Sequence, residues 1–219
     1  MYWNRAMDFE SKYKPLNYKS KCHKMSEDPS KEIWVYDDIL TFNMRTHIYE
    51  MCSKSNYKII GSDNGVLEYK SHISVVSTYS INDFKGTQLL EHLPPEVIER
   101  HRLSYKHHDD TMINMCTPSD RFHTHVDNGS DGWTMIYCSN MNWNVEWGGN
   151  TFFLNEAGDE IEYTNTYKPG RLVFFNPRIP HLIQPPTVFA PHFRFTLATK
   201  FIPEDLVPMT DGSLSLDKE

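Results

Sequence analysis

With 219 residues, a formal net charge of -7 at neutral pH and a pI near 5.9, the chain is long enough to bury one sizeable core and carries no broad basic surface for nucleic acid. Its four cysteines, Cys22, Cys52, Cys116 and Cys138, are scattered without a CxxC pair, which argues against a disulfide framework or a cysteine-rich zinc site and points to a reducing cytoplasm. No window suits a membrane span, and the polar start MYWNRAMDFESKYKPLNYKSK lacks the apolar run of a signal peptide.

Residues 1–30 mix Lys, Ser, Asn and Pro without sustained periodicity and read as a polar N-terminal segment, while residues 204–219 read as a tail. Between them, 31–203 form one domain. The run EIWVYDDIL alternates as a strand does, and Thr41 can then cap a helix whose Leu40, Met44, Ile48 and Met51 share a stripe. LPPEVIERHRL starts a second helix with Pro95 in its first turn, where the missing N–H costs nothing.

From about Tyr105 to 203 the texture changes to short β-branched and aromatic runs separated by turn signals. The candidate strands are TMINMCT, RFHTHVD, WTMIYCSN, GNTFFLN, RLVFFN, HLIQPP and FRFTLATKF, with turns at Pro118-Ser119-Asp120, Asn128-Gly129, Gly148-Gly149 and Pro169-Gly170. The predicted fold is an all-β jelly-roll barrel with flanking helices, an α+β chain led in by a strand and a helix. Gly148 and Gly149 mark a tight turn, not a phosphate loop, since no lysine or helix start follows. Trp143 and Trp147 flank that turn and either shape a substrate groove or cover a sheet edge.

The stretch DRFHTHVDNGSDG sets His123, His125 and Asp127 on one face of a straight strand. Two metal pairings follow. His125 and Asp127 with a distant histidine would make a facial triad that leaves positions open on Fe(II). His123 and His125 with a third histidine would make an all-imidazole zinc or cupin-like site. His181, in PGRLVFFNPRIPHLIQPP, is the candidate partner for either, with prolines on both sides to fix its loop. Beyond it, Arg194 shares one face of an apolar strand with Thr196 and Ala198, opposite Phe195 and Leu197. A guanidinium inside a barrel needs an anion, and its planar fork suits a carboxylate, with Thr196 as a further donor.

At these residues the sequence resembles the Fe(II)- and 2-oxoglutarate-dependent dioxygenases, whose signature is HxD, a distal His, then an Arg or Lys. Here that reads His125-Val126-Asp127, His181 and Arg194. HVDN, MNWNVEWGGNTFFLN, RIPHLIQP and RFTLATKF look like the prolyl 4-hydroxylase branch, including its hypoxia-sensing type, over residues 105–203; IWVYDDIL and its helix look like the usual lead-in. The resemblance implies a double-stranded β-helix, iron held by His125, Asp127 and His181, and 2-oxoglutarate with its far carboxylate on Arg194. It further implies O2 as oxidant, ascorbate as a reductant, and hydroxylation of a prolyl residue in a peptide or protein with release of succinate and CO2. Free amino acids or small metabolites are the alternative substrates, and a zinc-holding cupin-like module is the non-enzymatic alternative. Asp127 agrees with hydroxylation, since related halogenases keep that position small.

Departures from the pattern bear on the cosubstrate. The family's tyrosine before the HxD strand corresponds to Thr117, and Tyr137 is a second candidate for the cosubstrate carboxylate. PPTVFAP lengthens the interval from His181 to Arg194, leaving Lys200 as the alternative anchor. His123 falls outside the implied ligand set, as a hydrogen-bonding or pocket-lining group, and Gly129 stands where a cupin needs a glutamate.

Overall fold

The computed structural model describes residues 17–25, 28–60, 74–127 and 131–203. The Asn128-Gly129 turn and residues 1–16 and 204–219 lie outside them. Among the described residues no helix is long and apolar enough to cross a membrane.

The strands are β1 (Lys19–Lys24), β2 (Glu32–Asp37), β3 (Lys58–Ile60), β4 (Ser74–Tyr79), β5 (His108–Cys116), β6 (Trp133–Cys138), β7 (Thr151–Leu154), β8 (Ile161–Asn165), β9 (Leu172–Phe175), β10 (His181–Ile183) and β11 (Arg194–Phe201). The helices are α1 (Phe42–Ser53), α2 (Ile81–Gly86) and α3 (Pro95–Arg100). Eight strands form an antiparallel sheet in the order β1-β2-β9-β6-β11-β5-β4-β3, and three form a second in the order β10-β7-β8. This is the jelly-roll pair of sheets that the strand count predicts.

Both faces of the large sheet are covered, and β9 shows why its sequence is a continuous apolar run. Leu172 and Phe174 join the core under α1, α2 and α3, whereas Val173 and Phe175 join the core between the sheets with Phe153 of β7. Successive side chains alternate faces, so a strand buried on both sides has no polar position. The same alternation runs through β11, with Phe195, Leu197 and Phe201 on the helix side and Ala198 on the barrel side. Each methylene buried this way contributes about 0.8 kcal/mol.

Thr41 caps α1 as expected, its hydroxyl accepting from the Met44 N–H at 3.3 Å. The buried stripe is Leu40, Met44, Ile48 and Cys52, so Cys52 takes the place expected of Met51. Pro95 opens α3. Several elements carry too little pattern to be read from sequence. β8 alternates toward solvent on a three-stranded edge, and α2 is short and set by a capping box between Ser80 and Asp83. β1, β3 and β4 extend the large sheet beyond the seven runs read from the sequence. His23 of β1 stacks on Tyr163 of β8 at 4.2 Å, joining an edge of one sheet to an edge of the other.

One expected strand is absent. RFHTHVD is irregular except for a single antiparallel bridge between His125 and His181. The segment makes its backbone bonds only where the loop after β9 comes alongside, so no ladder can extend.

Gly132 opens β6 with φ near +145°, and a Cβ there would stand 2.2 Å from the Phe201 carbonyl oxygen. Gly132→Ala should therefore cost about 2 kcal/mol or more in urea unfolding, whereas Gly86→Ala, with open space around it, should change stability by less than about 1 kcal/mol. The buried His101 bonds Tyr36 at 2.8 Å and stacks on Phe174 at 4.1 Å. Burial, aided by the Arg100 charge, lowers its pKa to about 3. A histidine that charges more readily when unfolded withdraws stability as pH falls from about 6.5 toward 3, by up to about 1.4 kcal/mol per unit. His101→Phe should flatten that part of the stability profile.

Candidate metal centre

The centre is built where the loop from β9 to β10 crosses between the sheets. The Ile179 N–H bonds the Asn176 carbonyl at 3.0 Å, making a tight turn, and Pro180 leads into His181 at the start of β10. His125 and His181 then exchange backbone hydrogen bonds of 3.0 and 2.9 Å, and the Asp127 N–H donates to the Pro177 carbonyl at 2.9 Å. Backbone pairing alone thus draws three ligand-capable residues from two distant segments to one place.

Their side-chain donor atoms lie within 4.8 Å of one another, with His181 Nε2 3.9 Å from Asp127 Oδ1. His125 Nδ1 faces the His123 carbonyl at 3.0 Å, and His181 Nδ1 faces the Ile179 carbonyl at 2.9 Å. A carbonyl can only accept, so each Nδ1 carries a proton and each Nε2 is left as the atom that faces the centre. Burial drops the His181 pKa to about 4, outweighing the Asp127 charge, so this ring is neutral at pH 7. Burial also opposes ionisation of Asp127, but the charges of His181 and Lys200 and the bond from Thr134 hold its pKa below the ordinary value. With His181 neutral near pH 7, Lys200 and Thr134 keep the carboxylate ionised there.

Thr134 Oγ1 of β6 donates to Asp127 Oδ2, which leaves Oδ1 facing the histidines. Lys200 Nζ of β11 stands 3.6 Å from that Oδ1. Neither contact is visible in the motif, although Thr134 is a small hydroxyl in a largely apolar run. Donors on one first-row ion at about 2.0–2.2 Å stand no more than about 4.4 Å apart, so the residues fit a shared ion after small side-chain shifts. Among the described residues His125, Asp127 and His181 form the one such cluster, and His123 is not in it. The all-imidazole arrangement loses its third member.

Arg194 is the largest fully buried side chain, at 1% exposure, and among the described residues it meets no carboxylate within ion-pair distance. Its Nε donates to the Gly149 carbonyl at 2.8 Å, its Nη1 reaches Thr196 Oγ1 at 3.3 Å and Cys116 Sγ at 3.7 Å, and its guanidinium lies 4.8 Å above the Tyr167 ring. Thr196 is therefore beside it, as predicted. Gly148 and Gly149 form the predicted turn at φ of +66° and +79°, and a Cβ on Gly149 would stand 3.0 Å from the Arg194 Cδ. Trp143 packs under this turn, lying against Tyr167 with ring centroids 4.8 Å apart and donating its Nε1–H to the Gly148 carbonyl at 3.0 Å.

Of the two other sequence-predicted cosubstrate residues, one faces away from the barrel and one is held in a turn. Tyr137 lies in the helix-side core with Met135, on the opposite face of β6 from Thr134, so it cannot reach a cosubstrate in the barrel. A strand's alternation decides this, and the register was not legible in the sequence. Thr117 follows β5 and is engaged in its own turn, its hydroxyl donating to Asp120 Oδ1 at 2.9 Å and its N–H donating to Asp120 Oδ2 at 2.7 Å.

No family model and no curated protein matches the sequence. Solved structures do. A prolyl hydroxylase from Trichoplax adhaerens, in complex with a hypoxia inducible factor oxygen degradation domain peptide fragment, superposes with a TM-score of 0.57 at 15% identity over 79% of this chain and 84% of that one. A prolyl-4-hydroxylase from Pseudomonas putida superposes at 0.54 with 14% identity, covering 86% and 94%. The fold is that of the prolyl hydroxylases. The same fold serves the non-heme alpha ketoglutarate dependent epimerase SnoN from nogalamycin biosynthesis, at a TM-score of 0.52 and 12% identity over 78% of each chain.

A buried arginine without an acid is a liability unless a ligand answers it. Arg194→Met should leave the ligand-free protein within about 2 kcal/mol of wild type in thermal unfolding, because relief of the buried charge offsets the hydrogen bonds lost by the Gly149 carbonyl and Thr196 and no counter-charge among the described residues is left behind. A loss of several kcal/mol would make the arginine structural.

Proposed function

We propose that the protein is an Fe(II)- and 2-oxoglutarate-dependent dioxygenase that hydroxylates a prolyl residue of a peptide or protein. One observation carries this reading: a His-Asp-His cluster with both Nε2 atoms directed inward shares a barrel with a buried arginine that meets no carboxylate among the described residues. His125, Asp127 and His181 would hold the iron, and Arg194 with Thr196 would hold the far carboxylate of 2-oxoglutarate. When bound, iron and cosubstrate supply the activation of O2 and the oxidation of a C–H bond, with succinate and CO2 released. The protein's own share is geometric. Thr134 and the backbone carbonyls of His123 and Ile179 orient the ligands, and Tyr167 and Cys116 pack against the arginine and keep water from it. A peptide substrate is supported by the peptide-bound prolyl hydroxylase of the same fold. The epimerase of the same fold supports a small-metabolite substrate as the second reading.

Anaerobic titration with Fe(II) and 2-oxoglutarate should develop the visible charge-transfer band of a chelate in wild type and none in Asp127→Ala. Arg194→Met should need about ten to a hundred times more 2-oxoglutarate, the worth of ~1.5–3 kcal/mol in charge-assisted hydrogen bonds. Succinate release driven by proline-containing peptides, set against free L-proline, separates the two substrate classes. Absence of a band in wild type, with zinc retained by Asp127→Ala, would overturn the oxygenase reading.

A further inference from the structure

Lys200 enters the metal centre without a part in the chemistry above. It shares the inner face of β11 with Arg194 and Thr196, and its ammonium stands 3.6 Å from Asp127 Oδ1. That oxygen is also the one facing His181 Nε2, at 3.9 Å, while Thr134 occupies Oδ2. A metal shared with His181 would therefore take the oxygen that Lys200 already neutralises. Across the sheet, Lys200 is opposite Asp110 of β5 and Thr134 of β6, and among the described residues Asp110 makes no ion pair with it.

Among the described residues the inner face of β11 thus carries two cations, Lys200 and an Arg194 that meets no carboxylate, before any ion arrives. A divalent ion arriving alone adds positive charge where, among the described residues, Asp127 is the carboxylate within ion-pair reach of Lys200 and Asp110 lies beyond it. A dicarboxylate arriving with it removes that excess. We infer that Lys200 couples metal loading to cosubstrate binding: its charge weakens the hold on a divalent ion alone and the dianion relieves that weakening. This inference rests on the oxygenase reading and adds a residue to it. Coupling is reciprocal, so metal and cosubstrate must each tighten the other by the same factor.

The test uses Mn(II) as probe, with free ion followed by electron paramagnetic resonance, on full-length metal-free protein with and without 2-oxoglutarate. Lys200→Met should bind Mn(II) alone about tenfold more tightly than wild type, since a charge a few ångströms from the ion is removed, and the tightening brought by 2-oxoglutarate should shrink by a similar factor. Lys200→Gln, also neutral, should reproduce this, and Lys200→Arg should behave as wild type. Equal or weaker Mn(II) binding in both neutral variants, or an unchanged 2-oxoglutarate effect, overturns the inference while wild-type binding of both ligands leaves the oxygenase reading standing. A wild-type protein that binds neither ligand overturns both.

Discussion

The reciprocal backbone hydrogen bonds between His125 and His181 are the constraint on which the centre depends. The two residues are remote in sequence, and their rings meet with centroids 4.4 Å apart. Backbone pairing supplies the reason, because N–H and C=O groups drawn into a barrel must find partners. Once the bridge forms, the ligand directions follow from local geometry. Each Nδ1 is tied to a carbonyl two residues earlier, so the ring positions are set before any ion binds.

The bridge is held in place by the large sheet. Its central strands are buried on both faces, with helices on one side and the small sheet on the other, so their register cannot slip without moving apolar side chains into polar surroundings. Thr134, Thr196 and Lys200 project from that platform on neighbouring strands, at heights set by the β6–β11 pairing. The irregular segment carrying His125 and Asp127 needs no sheet of its own. It is docked on a surface whose geometry is already determined.

The interior combines apolar packing with charges that the core alone would not favour. Arg194 is satisfied by a carbonyl, a hydroxyl, a thiol and a ring, which solvate a guanidinium without neutralising it. Glycine at 149 is required for that arrangement, since any side chain there would press on the arginine stem. Such a site is tolerated because the surrounding strands are over-determined by their packing.

The sequence by itself determined the fold class, the capped helix after Thr41, most barrel strands and the ligand candidates, because these follow from local periodicity, turn chemistry and residue type. Alternation along β11 was enough to put Arg194 and Thr196 on one face. Tertiary structure decided what depends on neighbours in space. It separated Tyr137 from the barrel through strand facing, reduced RFHTHVD to one bridge, left His123 outside the ligand cluster, and brought Thr134 and Lys200 to Asp127. These outcomes turn on register and on which backbone lies alongside which, and a single chain read in order carries no signal for either.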